Sequence, residues 1–177
     1  FEMTLDLAIW MDGIVCDYNY VFDPNVYLKR FFGENIKGNY IFLIDEAHNL
    51  VERGREMYSA AISKKEMEDV RKFVRPYSSR LYRMLGKAIR QMDAVQKECS
   101  LTGKVLENAG TLPITLLGIQ GEMDKLLEEP PSQEFRDGIL DFYFVVRDFL
   151  NISELTDENY VTYVLNGEDG KFRMKLF

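Results

Sequence analysis

Residues 40–48 read Tyr-Ile-Phe-Leu-Ile-Asp-Glu-Ala-His, an apolar run that ends in two acids, an alanine and a histidine. A run that is apolar on both alternating faces is typical of a central parallel strand covered by helices. The stretch therefore predicts a buried strand over residues 40–44 that ends at Asp45. We expect a helix to follow it, from about Ala47 to Tyr58.

The residues before this stretch fit an alternation of helices and strands. Residues 14–16, Ile-Val-Cys, are a short apolar run that predicts another strand. Residues 4–10 and 26–32 have the apolar spacing of helices, and Pro24 suits the first turn of the second one. A β-α-β-α order over the first 60 residues predicts part of a doubly wound α/β sheet.

The pattern changes to helices between residues 63 and 156. Ser63 and Glu66 form a capping box, and an apolar stripe follows in steps of three or four residues. Pro76 interrupts this stripe, so we expect a break there and a new helix that begins at Pro76. Two further helices are predicted, over residues 111–128 and 134–150.

The last residues alternate between apolar and polar side chains on either side of an Asn-Gly turn, which predicts a β-hairpin over residues 157–177. The expected fold class is therefore mixed α and β, and predominantly helical. It comprises a partial α/β segment over residues 1–62, a helical insertion over residues 63–156, and the hairpin.

Composition excludes several classes of protein. The 177 residues are 46% apolar, which excludes wholesale disorder, and no uncharged apolar run approaches the roughly 18 to 20 residues of a membrane span. Two cysteines and one histidine argue against a disulfide framework and against a self-contained zinc site, so we expect a reducing, cytoplasmic location. No signal peptide is visible, and the first residue is Phe, so we expect a piece of something longer.

Charge is concentrated in one segment of this acidic chain, whose net charge is -7. Residues 64–90 carry nine basic and three acidic groups. At helical spacing, four of the cations fall opposite an apolar stripe; they are Arg80, Arg83, Lys87 and Arg90. Such a face is either a solvated helix surface or a contact for the phosphates of single-stranded DNA. The helices of residues 91–160 are acidic, and we expect them to face solvent or a protein partner.

The two acids that follow residues 40–44, Asp45 and Glu46, are the candidate catalytic residues. A buried parallel strand delivers its last carboxylate to the sheet edge where open α/β folds bind ligands. Asp45 would there hold Mg²⁺ through its hydration shell, and Glu46 would orient or deprotonate the water that attacks a γ-phosphate. The alternative is that the two acids merely open a helix, and that His48 is structural.

The string Asp45-Glu46-Ala47-His48 resembles motif II of superfamily 2 helicases, in its DEAH form. Residues 14–24, Ile-Val-Cys-Asp-Tyr-Asn-Tyr-Val-Phe-Asp-Pro, look like the segment that precedes this motif in the XPD/DinG-like family of DNA helicases, and residues 49–53 are similar to its continuation. The resemblance implies a partial RecA-like motor segment over residues 1–62, an arch over residues 63–156, and a hairpin that returns to the motor domain.

The resemblance also implies roles for the motif. Asp45 would coordinate the metal, Glu46 would be the general base, and His48 would link hydrolysis to strand movement. Mg²⁺ and ATP would be the cofactors of the parent helicase, and the arch would guide single-stranded DNA. Such proteins carry a 4Fe–4S cluster on four cysteines, which we expect upstream because Cys16 and Cys99 do not fit that set.

One departure limits what this chain does alone, since no G-x-x-x-x-G-K-[S/T] loop is present to cradle phosphates. Two other hypotheses remain open. The first is a helical interaction or scaffold module in which the motif is vestigial. The second is a stand-alone metal-dependent hydrolase that uses Asp45, Glu46 and His48.

Overall fold

The computed structural model describes residues 2–33, 36, 38–99, 103–167 and 169–177. The chain forms two compact units, Phe1–Met57 and Tyr58–Phe177, which we call the N-terminal unit and the C-terminal unit. Among the described residues, no helix is long and apolar enough to cross a bilayer.

The N-terminal unit contains short helices joined by irregular segments. Its helices are α1 (Glu2–Ala8), α2 (Asn19–Phe22), α3 (Lys29–Phe32), a 3₁₀ turn (Ala47–Asn49) and α4 (Leu50–Met57). Asp17 and Asp23 each accept the backbone N–H two residues later, at 2.8 Å, and these Asx turns bracket α2. The helix predicted after Asp45 is present, as the 3₁₀ turn that continues directly into α4.

The two strands predicted in the N-terminal unit are wrong. Residues 14–16 and 40–44 form no β-strand, and Ile41 and Leu43 are 93% and 95% exposed. The rings of Tyr40 and Phe42 instead pack on Phe32, with centroids 5.3 and 5.9 Å from it. A parallel strand needs neighbours to accept its hydrogen bonds, and the described part of this unit provides none.

The C-terminal unit is a helical bundle packed on one sheet. Its helices are α5 (Lys64–Val74), α6 (Ser79–Lys97), α7 (Leu112–Glu128) and α8 (Gln133–Leu155). The predicted break at Pro76 is confirmed, although α6 begins three residues later, because Ser78 is its N-cap and accepts the Leu81 N–H at 3.1 Å. Helix α7 matches its prediction, and α8 extends five residues beyond Leu150.

Two caps show how far local signals succeed. Ser132 Oγ accepts the Phe135 N–H at 3.1 Å and so begins α8. Ser63 also precedes its helix, but its side chain makes no capping hydrogen bond and its buried Oγ has no partner within the described ranges. The predicted capping box therefore marks the start of α5 correctly, but its serine does not act as a cap.

The sheet is antiparallel, with the order β1-β4-β3-β2. Its strands are β1 (Ala60–Ser63), β2 (Lys104–Leu106), β3 (Thr162–Asn166) and β4 (Phe172–Leu176). The hairpin β3–β4 is confirmed, and its turn places Gly170 at φ 71°, which glycine adopts without strain. Hydrogen bonds from the Arg173 guanidinium hold the pKa of Asp169, in this turn, at about 2.

The core of the C-terminal unit lies between the helices and one face of the sheet. It includes Leu85, Leu116 and Phe149, each fully buried. A Cβ at Gly138 would lie 2.5 Å from the ring of Phe73, so α8 approaches Phe73 closely because residue 138 has no side chain.

The observed fold is mixed α and β and mostly helical, as the sequence predicts. The division between the units falls after Met57, and the hairpin lies in the same unit as the helices. The RecA-like and arch assignments stay predictions.

Candidate functional site

The candidate catalytic acids lie at the start of the 3₁₀ turn. Asp45 Oδ1 accepts the Glu46 N–H at 2.9 Å, and Glu46 Oε2 lies 3.3 Å from His48 Nε2. The structure thus brings Glu46 and His48 into direct contact. The side chains of Glu46 and His48 are 67% and 74% exposed, so they lie on the surface of the N-terminal unit and not in an enclosed pocket.

Glu46 has an unusual backbone. Its φ of 49° and ψ of 37° are left-handed, and it is the single non-glycine residue with a positive φ in the part of the chain that the structure describes. This conformation costs of order 1 kcal/mol or more for a residue with a Cβ, and such strain concentrates at functional sites. Neither the hydrophobic run nor the acidic pair predicted this feature.

The oxygen donors of Asp45 and Glu46 are of the kind that Mg²⁺ prefers. Among the described residues no three His, Cys, Asp or Glu side chains are grouped closely enough to hold a metal ion by themselves. Because Mg²⁺ sheds water reluctantly, one carboxylate together with water and substrate phosphates is a normal ligand set for it. Asp45 therefore fits the role of a single protein ligand, with Asp45 Oδ2 as the oxygen that does not bond the Glu46 amide.

A second polar feature of the N-terminal unit is a cleft of about 360 Å³ that contains Asp17, Arg53 and Glu56. Arg53 Nη1 donates to Glu56 Oε2 at 3.0 Å. This hydrogen bond, followed by the charge interaction with Tyr18, raises the pKa of the Arg53 guanidinium above its ordinary value. Tyr18 and Arg53 line the same cleft although they are 35 positions apart in the sequence, so the sequence did not reveal that they are close.

The four predicted cations of α6 all lie on its exposed side, and we call Arg80, Arg83, Lys87 and Arg90 the basic face. The opposite side of α6 is buried, as predicted, at Leu81, Leu85, Ala88 and Met92. The cations are not equivalent, since Arg80 Nε lies 3.2 Å from Glu122 Oε2 of α7. No sequence signal identified Glu122, because the two residues belong to different helices.

Two comparisons with known proteins bear on these residues. A family model described as DEAD_2 matches residues 5–67, a range that contains both the segment around α2 and the acids at Asp45 and Glu46. The Fanconi anemia group J protein homolog of Gallus gallus is 31% identical over 110 residues. These similarities support a helicase superfamily relationship. The aligned residues cover 60% of this chain, and the chain spans 8% of the length of that relative.

Proposed function

We propose that this chain is a segment of an ATP-dependent DNA helicase of the XPD/DinG-like type. The observation that carries the proposal is that the DEAD_2 match surrounds the string Asp45-Glu46-Ala47-His48, which directly follows an apolar run. The helicase superfamily relationship and the strained backbone of Glu46 both support it.

The N-terminal unit supplies the acids for hydrolysis in this proposal. Asp45 holds Mg²⁺, which when bound neutralises charge on the nucleotide phosphates. Glu46 orients the attacking water and accepts its proton. His48, whose Nε2 contacts Glu46 Oε2, links hydrolysis to the movement of the DNA strand. The exposed side chains of Ile41 and Leu43 form an apolar surface that other parts of the parent helicase would cover.

This chain does not hold ATP by itself in the proposal. The sequence contains no phosphate-cradling loop with its lysine, so the remaining contacts to ATP come from elsewhere in the parent helicase. A 4Fe–4S cluster takes four cysteines and the sequence has two, so these residues do not fit the cluster, which we place upstream. We also propose that the parent helicase is located in the cytoplasm.

The C-terminal unit is the arch in this proposal, and the basic face guides single-stranded DNA. Arginine and lysine side chains that project from one helix at steps of three and four residues follow a phosphate backbone without reading its sequence. A protein partner on the acidic helices of residues 91–160 also belongs to the proposal.

We expect the chain alone to show no DNA-stimulated ATP hydrolysis, because it lacks the phosphate-binding loop. The measurement is phosphate release with ATP, Mg²⁺ and single-stranded oligonucleotide. Turnover that disappears in Glu46→Gln would contradict the assignment of this chain as an incomplete motor, and would favour a stand-alone hydrolase.

Reversal of the basic face is the test of the DNA contact. A variant with all four cations replaced by Glu is expected to lose salt-sensitive binding to single-stranded DNA, with a Kd that rises by roughly two orders of magnitude. Fluorescence anisotropy of a labelled oligo-dT, titrated at several salt concentrations, measures this change. The four substitutions are Arg80→Glu, Arg83→Glu, Lys87→Glu and Arg90→Glu.

The matched control reverses four exposed cations that lie off α6. It carries Lys72→Glu, Arg75→Glu, Lys104→Glu and Arg136→Glu. The control has the same net charge and is expected to keep most of the binding. Equal loss in both variants would show that net charge alone attracts the DNA, and the basic face would then have no specific role.

A further inference from the structure

Arg80 differs from the other members of the basic face in its surroundings. Its guanidinium Nε lies 3.2 Å from Glu122 Oε2, and the Glu122 side chain is only 12% exposed while that of Arg80 is 64% exposed. A largely buried carboxylate has few alternative positions, so the position of Glu122 is determined by the packing around it. Arg80 is therefore the partner that reaches towards a fixed anion.

The packing of α6 on α7 fixes that anion in register. Gln91 Nε2 donates to Thr111 Oγ1 at 2.8 Å, near the end of the helix pair opposite to Arg80. Between these contacts, Met84 Cε lies 2.9 Å from the point where a Cβ on Gly118 would be. Contacts at both ends and in the middle hold the two helices antiparallel, and they keep Glu122 beside Arg80.

The other three cations have no carboxylate partner within the described ranges, and Arg83 uses only its Nε, which donates to Ser79 O at 3.3 Å. At a rise of 1.5 Å per residue, Arg83 and Lys87 are about 6 Å apart along the helix, and Lys87 and Arg90 about 4.5 Å. These three groups can each approach a phosphate without first breaking an ion pair.

We propose that Glu122 masks Arg80 and so limits the basic face to three phosphate-binding cations. The inference rests on the proposed single-stranded DNA contact. A cation that is already paired neutralises little of a phosphate's charge, so fewer of the counterions condensed on the DNA are released, and the carboxylate beside the cation repels the phosphate. Glu122 thus acts on DNA through Arg80 and is a positioning residue for the basic face.

The experiment compares Glu122→Gln with the unaltered chain in binding to an oligo-dT single strand. Gln keeps the shape of Glu122 and removes its charge. We expect the Kd to fall about 3- to 5-fold, and the slope of log K against log salt to steepen from about −2 to about −2.8, because each phosphate contact contributes about −0.7. With Glu122 retained, the single substitution Arg80→Gln is expected to weaken binding less than the single substitution Arg83→Gln does.

A double-mutant cycle separates masking from a general charge effect. The gain from Glu122→Gln should disappear in the Arg80→Gln background, and Glu134→Gln, an exposed acid on α8, should change nothing. An equal gain with and without Arg80 would overturn the inference. So would an Arg80→Gln variant as defective as Arg83→Gln.

Failure of the DNA contact itself has a different signature. If reversal of the basic face leaves binding unchanged, or if no variant binds, then the proposed DNA role fails and the masking fails with it. If reversal abolishes binding but Glu122→Gln leaves both the Kd and the salt slope unaltered, then only the masking is wrong. Circular dichroism of each variant confirms that the helices are intact.

Discussion

Replacement of Phe135 by Ala is expected to lower the free energy of unfolding of the C-terminal unit by about 3–5 kcal/mol. Phe135 is fully buried in the first turn of α8. Its ring lies 4.8 Å from that of Tyr77 and is stacked 6.1 Å from that of Phe73. The substitution therefore removes a large apolar contact between α8, α5 and the segment before α6, and it leaves a cavity there.

Urea denaturation followed by far-UV circular dichroism measures this loss, because the long helices all belong to the C-terminal unit. Trp10 lies in the N-terminal unit and would report on the wrong part of the chain. Phe144→Ala is the matched control, since Phe144 lies on the same helix but is 39% exposed, and we expect it to cost about 1 kcal/mol or less. Equal costs for both variants would contradict the packing of Phe135.

Replacement of Glu46 by Gln is expected to slow ATP hydrolysis by at least about 100-fold in a protein that joins this chain to the phosphate-binding loop it lacks. Gln keeps the size of the side chain, but it cannot accept a proton from water. ATP affinity should change little, because Glu46 acts on the attacking water rather than on the nucleotide in our proposal.

Single-turnover hydrolysis and equilibrium binding of ATP separate these two effects. Glu52→Gln on α4 is the control, since Glu52 is another exposed glutamate only six residues away. Its turnover should stay near that of the unaltered protein. A Glu46→Gln protein with full activity would remove Glu46 from the proposed chemistry, whatever the outcome for DNA binding.

Helices of the C-terminal unit were predictable because their signals are local. Ser132 and Pro113 mark the starts of α8 and α7, and the apolar stripe of α6 appears at the same spacing in sequence and in space. Strands β1 and β2 were not predicted. They are only four and three residues long, and they are strands because distant residues of β4 and β3 pair with them.

The N-terminal unit shows the opposite error. Residues 40–44 have the composition of a buried strand, but composition cannot supply the hydrogen-bonding neighbours that make a strand. The expectation that both faces of the run are covered is wrong as well. Tyr40 and Phe42 contact other aromatic rings, while Ile41 and Leu43 between them are almost completely exposed.

The candidate site was predictable where its residues are close in the sequence and not where they meet only through folding. Asp45, Glu46 and His48 are together in the sequence, so their proximity needed no folding argument, and the amphipathic spacing of α6 correctly placed four cations on its exposed side. The left-handed backbone of Glu46 and the pairing of Arg80 with Glu122 were not predictable. The first depends on how the turn closes, and the second depends on the register of two helices.

The pairing of β1 with β4 has one more consequence. Ala60 lies opposite Leu176, so the first and last strands of the C-terminal unit are adjacent, about 5 Å apart at these residues. Such a module can be inserted into a single surface loop of a host protein, because its two ends are close enough to join the two ends of the opened loop. Transplantation of residues 58–177 into a loop of an unrelated carrier should therefore preserve the folding of both partners.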